Sequence, residues 1–103
     1  MKIEKMWFEF DEWNHCFDVE DCNADVHFEM DDGTKWCACF YTYKNLISMS
    51  DKNSYTGEML SGKYYYSDKP IFIQEMTKDL IIKVLYDIIR SENDLRAVFT
   101  PIE

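Results

Sequence analysis

The hydrophobic pattern is clearest between Val26 and Tyr43, where apolar and polar residues alternate on both sides of Asp31-Asp32-Gly33. A period of two is typical of strands buried on one face, and a glycine-containing turn between two such runs predicts a β-hairpin. A three-residue loop with Gly33 in the left-handed conformation pairs Glu29 with Lys35. We prefer this register because opposite charges directly across a ladder stabilise it.

The same register predicts Phe28 opposite Trp36 and His27 opposite Cys37. It also gives the second strand apolar side chains on both faces, since Trp36, Ala38 and Phe40 alternate with cysteines and tyrosines. A strand that is apolar on both faces is typical of the middle of a sheet.

Shorter patterns surround this hairpin. Alternation predicts further strands, and a polar segment with two glycines predicts a long surface loop. The predicted strands are Met6–Trp13, Cys16–Glu20, Lys63–Tyr66 and Ile71–Gln74, with a turn at 67–70 between the last two, and the predicted loop is Ser48–Gly62.

A helix is predicted after Thr77, which is a suitable N-cap. Between Leu80 and Ile89 only Lys83 and Asp87 are polar, so we expect burial on more than one face. We expect the rest of the apolar surface of this helix to be covered by the last residues of the chain or by a second copy of the chain. The last residues are predicted to form either a helical face or a short strand. The helical face would consist of Leu95, Val98, Phe99 and Ile102.

Together these elements predict one domain spanning residues 1–103, of the α+β class. We expect an antiparallel meander of about five to six strands, with one long C-terminal helix packed on one face and a short terminal helix or strand.

The net charge of −9 is concentrated at the start of the chain. Residues 1–33 hold eleven acids against two lysines, whereas acids and bases are equal in number over residues 34–103. A one-sided negative field repels nucleic acid and attracts a basic partner, although acids also keep an aromatic-rich sheet from aggregating. The charge therefore favours a protein partner over nucleic acid.

Catalytic and metal chemistry find little support in the spacing of the cysteines. Cys16 and Cys22 are separated by five residues, and Cys37 and Cys39 by one, which fits no structural zinc pattern. Cys37 or Cys39 with His27 is a conceivable nucleophile and base, but no oxyanion-hole loop or phosphate-cradling loop accompanies them. We predict no catalytic, cofactor or metal residues, and four reduced thiols.

Charged residues interrupt the start of the chain, so no secretory signal is predicted, and no apolar run is long enough to span a membrane. The sequence predicts a cytoplasmic protein, as a monomer or a homodimer.

Several segments resemble the small cytoplasmic immunity proteins of bacterial polymorphic and contact-dependent toxin systems. These are the hairpin Val26–Trp36, the segment Tyr55–Tyr65, the short strand after Pro70 and the late helix, covering roughly residues 25–90. The resemblance implies a stoichiometric inhibitor that binds and blocks a toxin domain, without catalytic residues.

Many such toxins are nucleases with basic clefts, which an acidic aromatic surface would suit. The predicted partner-binding residues are Trp7, Asp11, Glu12, Trp13, Asp18, Glu20, Asp21 and Asp25. The alternatives are an acidic phage-type mimic of nucleic acid that inhibits a host or defence protein, a small enzyme using Cys37 and His27, and a small dimeric structural protein.

Overall fold

Five strands form one sheet in the computed structural model, which describes residues 2–103. The strands are β1 (Ile3–Phe8), β2 (Asn23–Met30), β3 (Lys35–Thr42), β4 (Pro70–Ile73) and β5 (Thr100–Pro101). The helices are α1 (Tyr43–Thr56), α2 (Glu58–Gly62) and α3 (Lys78–Ser91), with short 3-10 helices at Glu9–Glu12 and Leu95–Ala97. The predicted α+β class is confirmed.

The first three strands form an antiparallel meander in the order β1, β2, β3. The far edge of β3 is shared, because its second half pairs with β4 and its first half pairs with β5. β3 therefore lies in the middle of the sheet, as its two apolar faces predict. The pairing of β3 with β4 is parallel, so the sheet departs from an antiparallel meander at this edge.

The predicted hairpin register is confirmed. Glu29 pairs with Lys35, and Phe28 with Trp36. Gly33 has a φ of 86°, and its N–H donates to the carbonyl oxygen of Met30 at 3.0 Å. A positive φ at this position completes a type I turn with a bulge, for which glycine has no steric penalty.

The core lies on one face of the sheet and beneath α3. Alternation along β2 and β3 directs every second side chain inward, and Ile81 and Leu85 of α3 pack against that face with no exposed surface. The fully buried sheet residues include Val26, Met30 and Phe40. Apolar burial of this kind is the dominant favourable contribution to folding.

The predicted helix is confirmed as α3, which begins after Thr77. Its burial is narrower than predicted, because Ile82 remains 36% exposed next to the charged residues Asp79 and Lys83. One broad face of α3 packs on the core, and the tyrosine hydroxyl of Tyr86 accepts a 3.0 Å hydrogen bond from the N–H of Ile3.

The last residues pack on the core through Phe99, with Leu95 and Val98 partly buried beside it. Phe99 is fully buried and meets the ring of Phe28 edge-on, with 5.0 Å between centroids. The segment contains a 3-10 helix, Leu95–Ala97, followed by β5, so the predicted short terminal helix or strand is confirmed, although the strand begins after Phe99.

The N-terminal strands were predicted only in part, since β1 overlaps the first predicted strand at 6–8. β1 ends at Phe8, and the chain then turns into a 3-10 helix, whereas Cys16–Glu20 contains no strand. The rings of Phe10 and Phe17 lie 5.4 Å apart, so the aromatic residues that suggested two strands instead form a cluster at the edge of the core.

The predicted loop at 48–62 was also wrong, because residues 48–56 lie in α1. Residues 58–62 form α2, a short element in which Met59, Leu60 and Ser61 have the positive φ angles of the left-handed conformation. The hydroxyl of Thr42 caps α1 by accepting a hydrogen bond from the N–H of Asn45 at 3.1 Å. The helix α1 was not predicted because polar residues interrupt its apolar positions, which leaves little helical periodicity in the sequence. Lys63–Tyr66 forms no strand, and β4 pairs with β3 instead of forming a hairpin with that segment.

Among residues 2–103, no helix is both long and apolar enough to cross a lipid bilayer.

Candidate functional site

The strands β1, β2 and β3 have a second face, which we call the open face, formed by the side chains that point away from the core. Each of these side chains is half-buried or exposed. Strand alternation places them there without further interactions. They are Lys5, Trp7, Asn23, Asp25, His27, Glu29, Lys35, Cys37, Cys39 and Tyr41.

Trp7 and His27 form a pair on the open face, on the edge strand β1 and its neighbour β2. They are directly opposite each other on β1 and β2, and their rings lie 4.7 Å apart. Trp7 is 39% exposed, and its indole N–H donates to Glu12 at 3.3 Å. A depression of about 270 Å³ lies beside this pair, bordered by Lys5 and Ile102.

Beside this pair, Asp25, Cys37 and Cys39 form a group on β2 and β3. One carboxylate oxygen and the two sulfur atoms all lie within 4.8 Å of one another. Burial, reinforced by the carboxylate of Asp25, raises the pKa of Cys39 to about 12. Burial also raises the pKa of Cys37, whereas an activated cysteine nucleophile requires a lowered pKa.

The far end of the open face is aromatic. Tyr65 meets Tyr41 edge-on at 5.6 Å between ring centroids, and Phe72 of β4 lies 6.4 Å from Tyr41. Tyr65 comes from the segment that follows α2, so residues distant in sequence extend the open face beyond β3.

Three of the predicted partner-binding residues are engaged within the fold. Asp11 forms a 2.9 Å ion pair with Lys78 at the start of α3. Trp13 is half-buried against the ring of Phe17, at 5.0 Å between centroids. Asp21 accepts hydrogen bonds from the side chains of Asn45 and Ser48 in α1.

The other five predicted residues remain available. Trp7 and Asp25 lie on the open face, and Glu12 contacts Trp7. Asp18 and Glu20 are exposed in the turn that precedes β2. The structure therefore joins Trp7, Glu12 and Asp25 but does not join them to Asp11, Trp13 and Asp21.

A second surface was not predicted from the sequence. Large apolar side chains are exposed along α1, α2 and the segment that follows them, namely Tyr43, Ile47, Tyr55, Leu60, Tyr64 and Tyr66. The many tyrosines in this region are visible in the sequence. Because α1 was not predicted, they could not be assigned to one exposed surface.

Comparison of the chain with protein-family models, with curated proteins and with solved structures finds no match.

Proposed function

We propose that this protein is a stoichiometric inhibitor of the immunity type, which binds and neutralises a basic, nuclease-type toxin domain through the open face and the acids around it. One observation carries the proposal. Within residues 2–103, only Asp11 and Glu29 among the eleven acids of the first 33 residues form an ion pair. The fold thus leaves most of the negative charge without a counter-ion.

Such a field has a direct consequence for association. A cleft that binds phosphate groups relies on lysine and arginine, and uncompensated acids on a partner accelerate the encounter with such a cleft and orient it. The proposed partner is therefore a protein with a basic active cleft, and the inhibitor itself binds no nucleic acid.

Trp7 is the anchor in this proposal. Tryptophan is enriched among the residues that contribute most to binding, and Trp7 is exposed on the open face, on the edge strand β1. Trp13, which was predicted as a second anchor, packs with Phe17 and supports the fold instead.

The proposed inhibitor acts in the cytoplasm without a cofactor or a catalytic residue. The enzyme alternative is weakened by the geometry around Cys37. Its pKa is raised by burial, and the ring of the neighbouring His27 packs against the ring of Trp7. Neither feature favours a thiolate activated by histidine.

The test begins with capture. The immobilised protein is incubated with a lysate of its source organism at low and moderate salt, and a retained basic domain is then purified separately. We expect a one-to-one complex, and we expect the degradation of RNA or DNA by the captured domain to stop at one equivalent of inhibitor.

A matched pair of variants locates the interface. Trp7→Ala should weaken binding by about 2 kcal/mol, whereas Ile82→Ala, at an exposed apolar position of α3, should change it by less than about 0.5 kcal/mol. Full activity of the captured domain in the presence of excess inhibitor contradicts the proposed function. Equal weakening by the two variants contradicts the proposed interface.

A further inference from the structure

We infer that Asp25, Cys37 and Cys39 form a binding site for a thiophilic divalent cation such as Zn²⁺ on the open face. The inference begins with the strand register. Cys37 and Cys39 are two residues apart on β3, so their side chains point to the same face, and Asp25 of β2 lies directly opposite Cys39. The three ligands thus come from two rigid, adjacent strands.

The ligand types suit zinc. Zn²⁺ is bound by thiolate sulfur at about 2.3 Å and by carboxylate oxygen at about 2.0–2.2 Å. Two such ligands in a tetrahedral site lie within about 4 Å of each other. The three donor atoms here are within 4.8 Å of one another. Side-chain rotations that move these atoms by less than about 1 Å therefore bring them to coordinating distance.

The surroundings favour a cation. Glu9 lies next to Asp25, because its carboxylate accepts a 2.8 Å hydrogen bond from the backbone N–H of Asp25. No lysine or arginine of residues 2–103 forms an ion pair with either carboxylate. All three ligands are half-buried, which leaves a path for an ion from solvent.

The fourth position is open. His27 lies opposite Cys37 on the same face, but its ring packs against the ring of Trp7, with 4.7 Å between centroids and a tilt of 43°. Solvent therefore completes the coordination, as in zinc sites with three protein ligands and an exchangeable position. Such a site differs from the closed structural sites that compact cysteine spacings produce, which explains why the spacing of these cysteines gave no metal pattern. The inference does not depend on the proposed function.

The probe is Cd²⁺, whose bonds to thiolates produce a charge-transfer absorption in the ultraviolet. The full-length protein, fully reduced and freed of metal, is titrated with Cd²⁺ and then with Zn²⁺ as a competitor. We expect an absorption that saturates at one Cd²⁺ per chain and disappears when Zn²⁺ displaces it.

Variants assign the absorption to particular residues. Cys37→Ser and Cys39→Ser should each weaken binding at least about tenfold, and Asp25→Asn should also weaken it. The matched control is the double variant Cys16→Ser/Cys22→Ser, which keeps two cysteines and should bind as the unaltered protein does. Circular dichroism of each variant verifies that the sheet is intact.

Three results overturn the inference. The first is the absence of saturable absorption in the unaltered protein, and the second is unchanged binding in Cys37→Ser and Cys39→Ser. The third is loss of binding in the Cys16→Ser/Cys22→Ser control, which would place the metal at the other two thiols.

Discussion

The carboxylate of Asp21 accepts a 2.6 Å hydrogen bond from the hydroxyl of Ser48. It accepts a second hydrogen bond, at 3.0 Å, from the side-chain amide of Asn45. Both donors lie on α1, so Asp21 joins the turn before β2 to the helix that follows β3. An acid that charge alone assigned to a partner surface therefore supports the fold.

The two hydrogen bonds give Asp21 a pH-dependent effect on stability. They lower its pKa from the usual value of 3.8, Ser48 being the larger cause. A lowered folded-state pKa stabilises the fold fully above pH 3.8, and the stabilisation is lost as the pH falls through the lowered value. We therefore expect Asp21→Asn to be less stable than the unaltered protein at pH 7, with a difference that shrinks toward pH 2.

Urea unfolding at several pH values between 7 and 2 measures this difference. Glu20→Gln is the control, because Glu20 is exposed beside Asp21 in sequence and is expected to change stability little at any pH. A difference between Asp21→Asn and the unaltered protein that stayed constant over this range would contradict the pKa assignment.

Thr42 should be the more important of two threonine caps. Its hydroxyl accepts hydrogen bonds from the N–H groups of Asn45 and Cys22, at 3.1 and 3.2 Å, whereas Thr77 caps α3 without a side-chain hydrogen bond. We expect Thr42→Ala to lower the free energy of unfolding by about 1–2 kcal/mol, and Thr77→Ala by less than about 0.5 kcal/mol. Denaturant unfolding of the two variants tests the assignment, which equal losses would refute.

Gly62 should tolerate no side chain. It has a φ of 81°, and an added Cβ would lie 2.1 Å from the carbonyl oxygen of Ser50 in α1. Gly57 has a similar φ of 84° but open space around it, so Gly57→Ala isolates the cost of the backbone conformation, about 1 kcal/mol. We expect Gly62→Ala to cost at least about 1 kcal/mol more, as measured by thermal or urea unfolding. Similar losses for the two variants would mean that α2 does not pack against α1 in this way.

Phe99 should make the C-terminal segment essential to the core. It is fully buried against Phe28, so Phe99→Ala should lower the free energy of unfolding by about 3–5 kcal/mol. Ile47→Ala, at a side chain that is 71% exposed, should change it by less than about 0.5 kcal/mol. A small effect of Phe99→Ala in urea unfolding would show that the terminal segment is dispensable.

The acids of the first 33 residues should govern the rate of association with the proposed partner. Neutralising four of them to amides should slow association and flatten its dependence on salt, because steering acts before contact. The four exposed positions are Glu4, Glu12, Asp18 and Glu20. The control removes the same amount of charge at the exposed positions Asp51, Glu58, Asp68 and Glu103. Stopped-flow or biosensor kinetics should separate the two sets, and equal rates would refute local steering.

The central hairpin could be predicted because its information is local. The turn at Gly33 and the charge pair Glu29–Lys35 set the register, and the register directs each side chain of β2 and β3 to the core or to the open face. The proximity of Asp25, Cys37 and Cys39 could therefore have been predicted from the sequence. Ligand spacing along the chain does not indicate it, because the third ligand comes from the neighbouring strand of the ladder.

Strong periodicity in the sequence predicted β2, β3 and α3, and the distribution of charged residues located the acidic first third of the chain. The structure of the weakly patterned segments depends on long-range contacts. α1 is capped by Thr42 at the end of β3, β4 pairs in parallel with β3, and Phe99 returns to the core from the C-terminus. These outcomes depend on contacts between residues far apart in sequence, whose free energies no local pattern encodes.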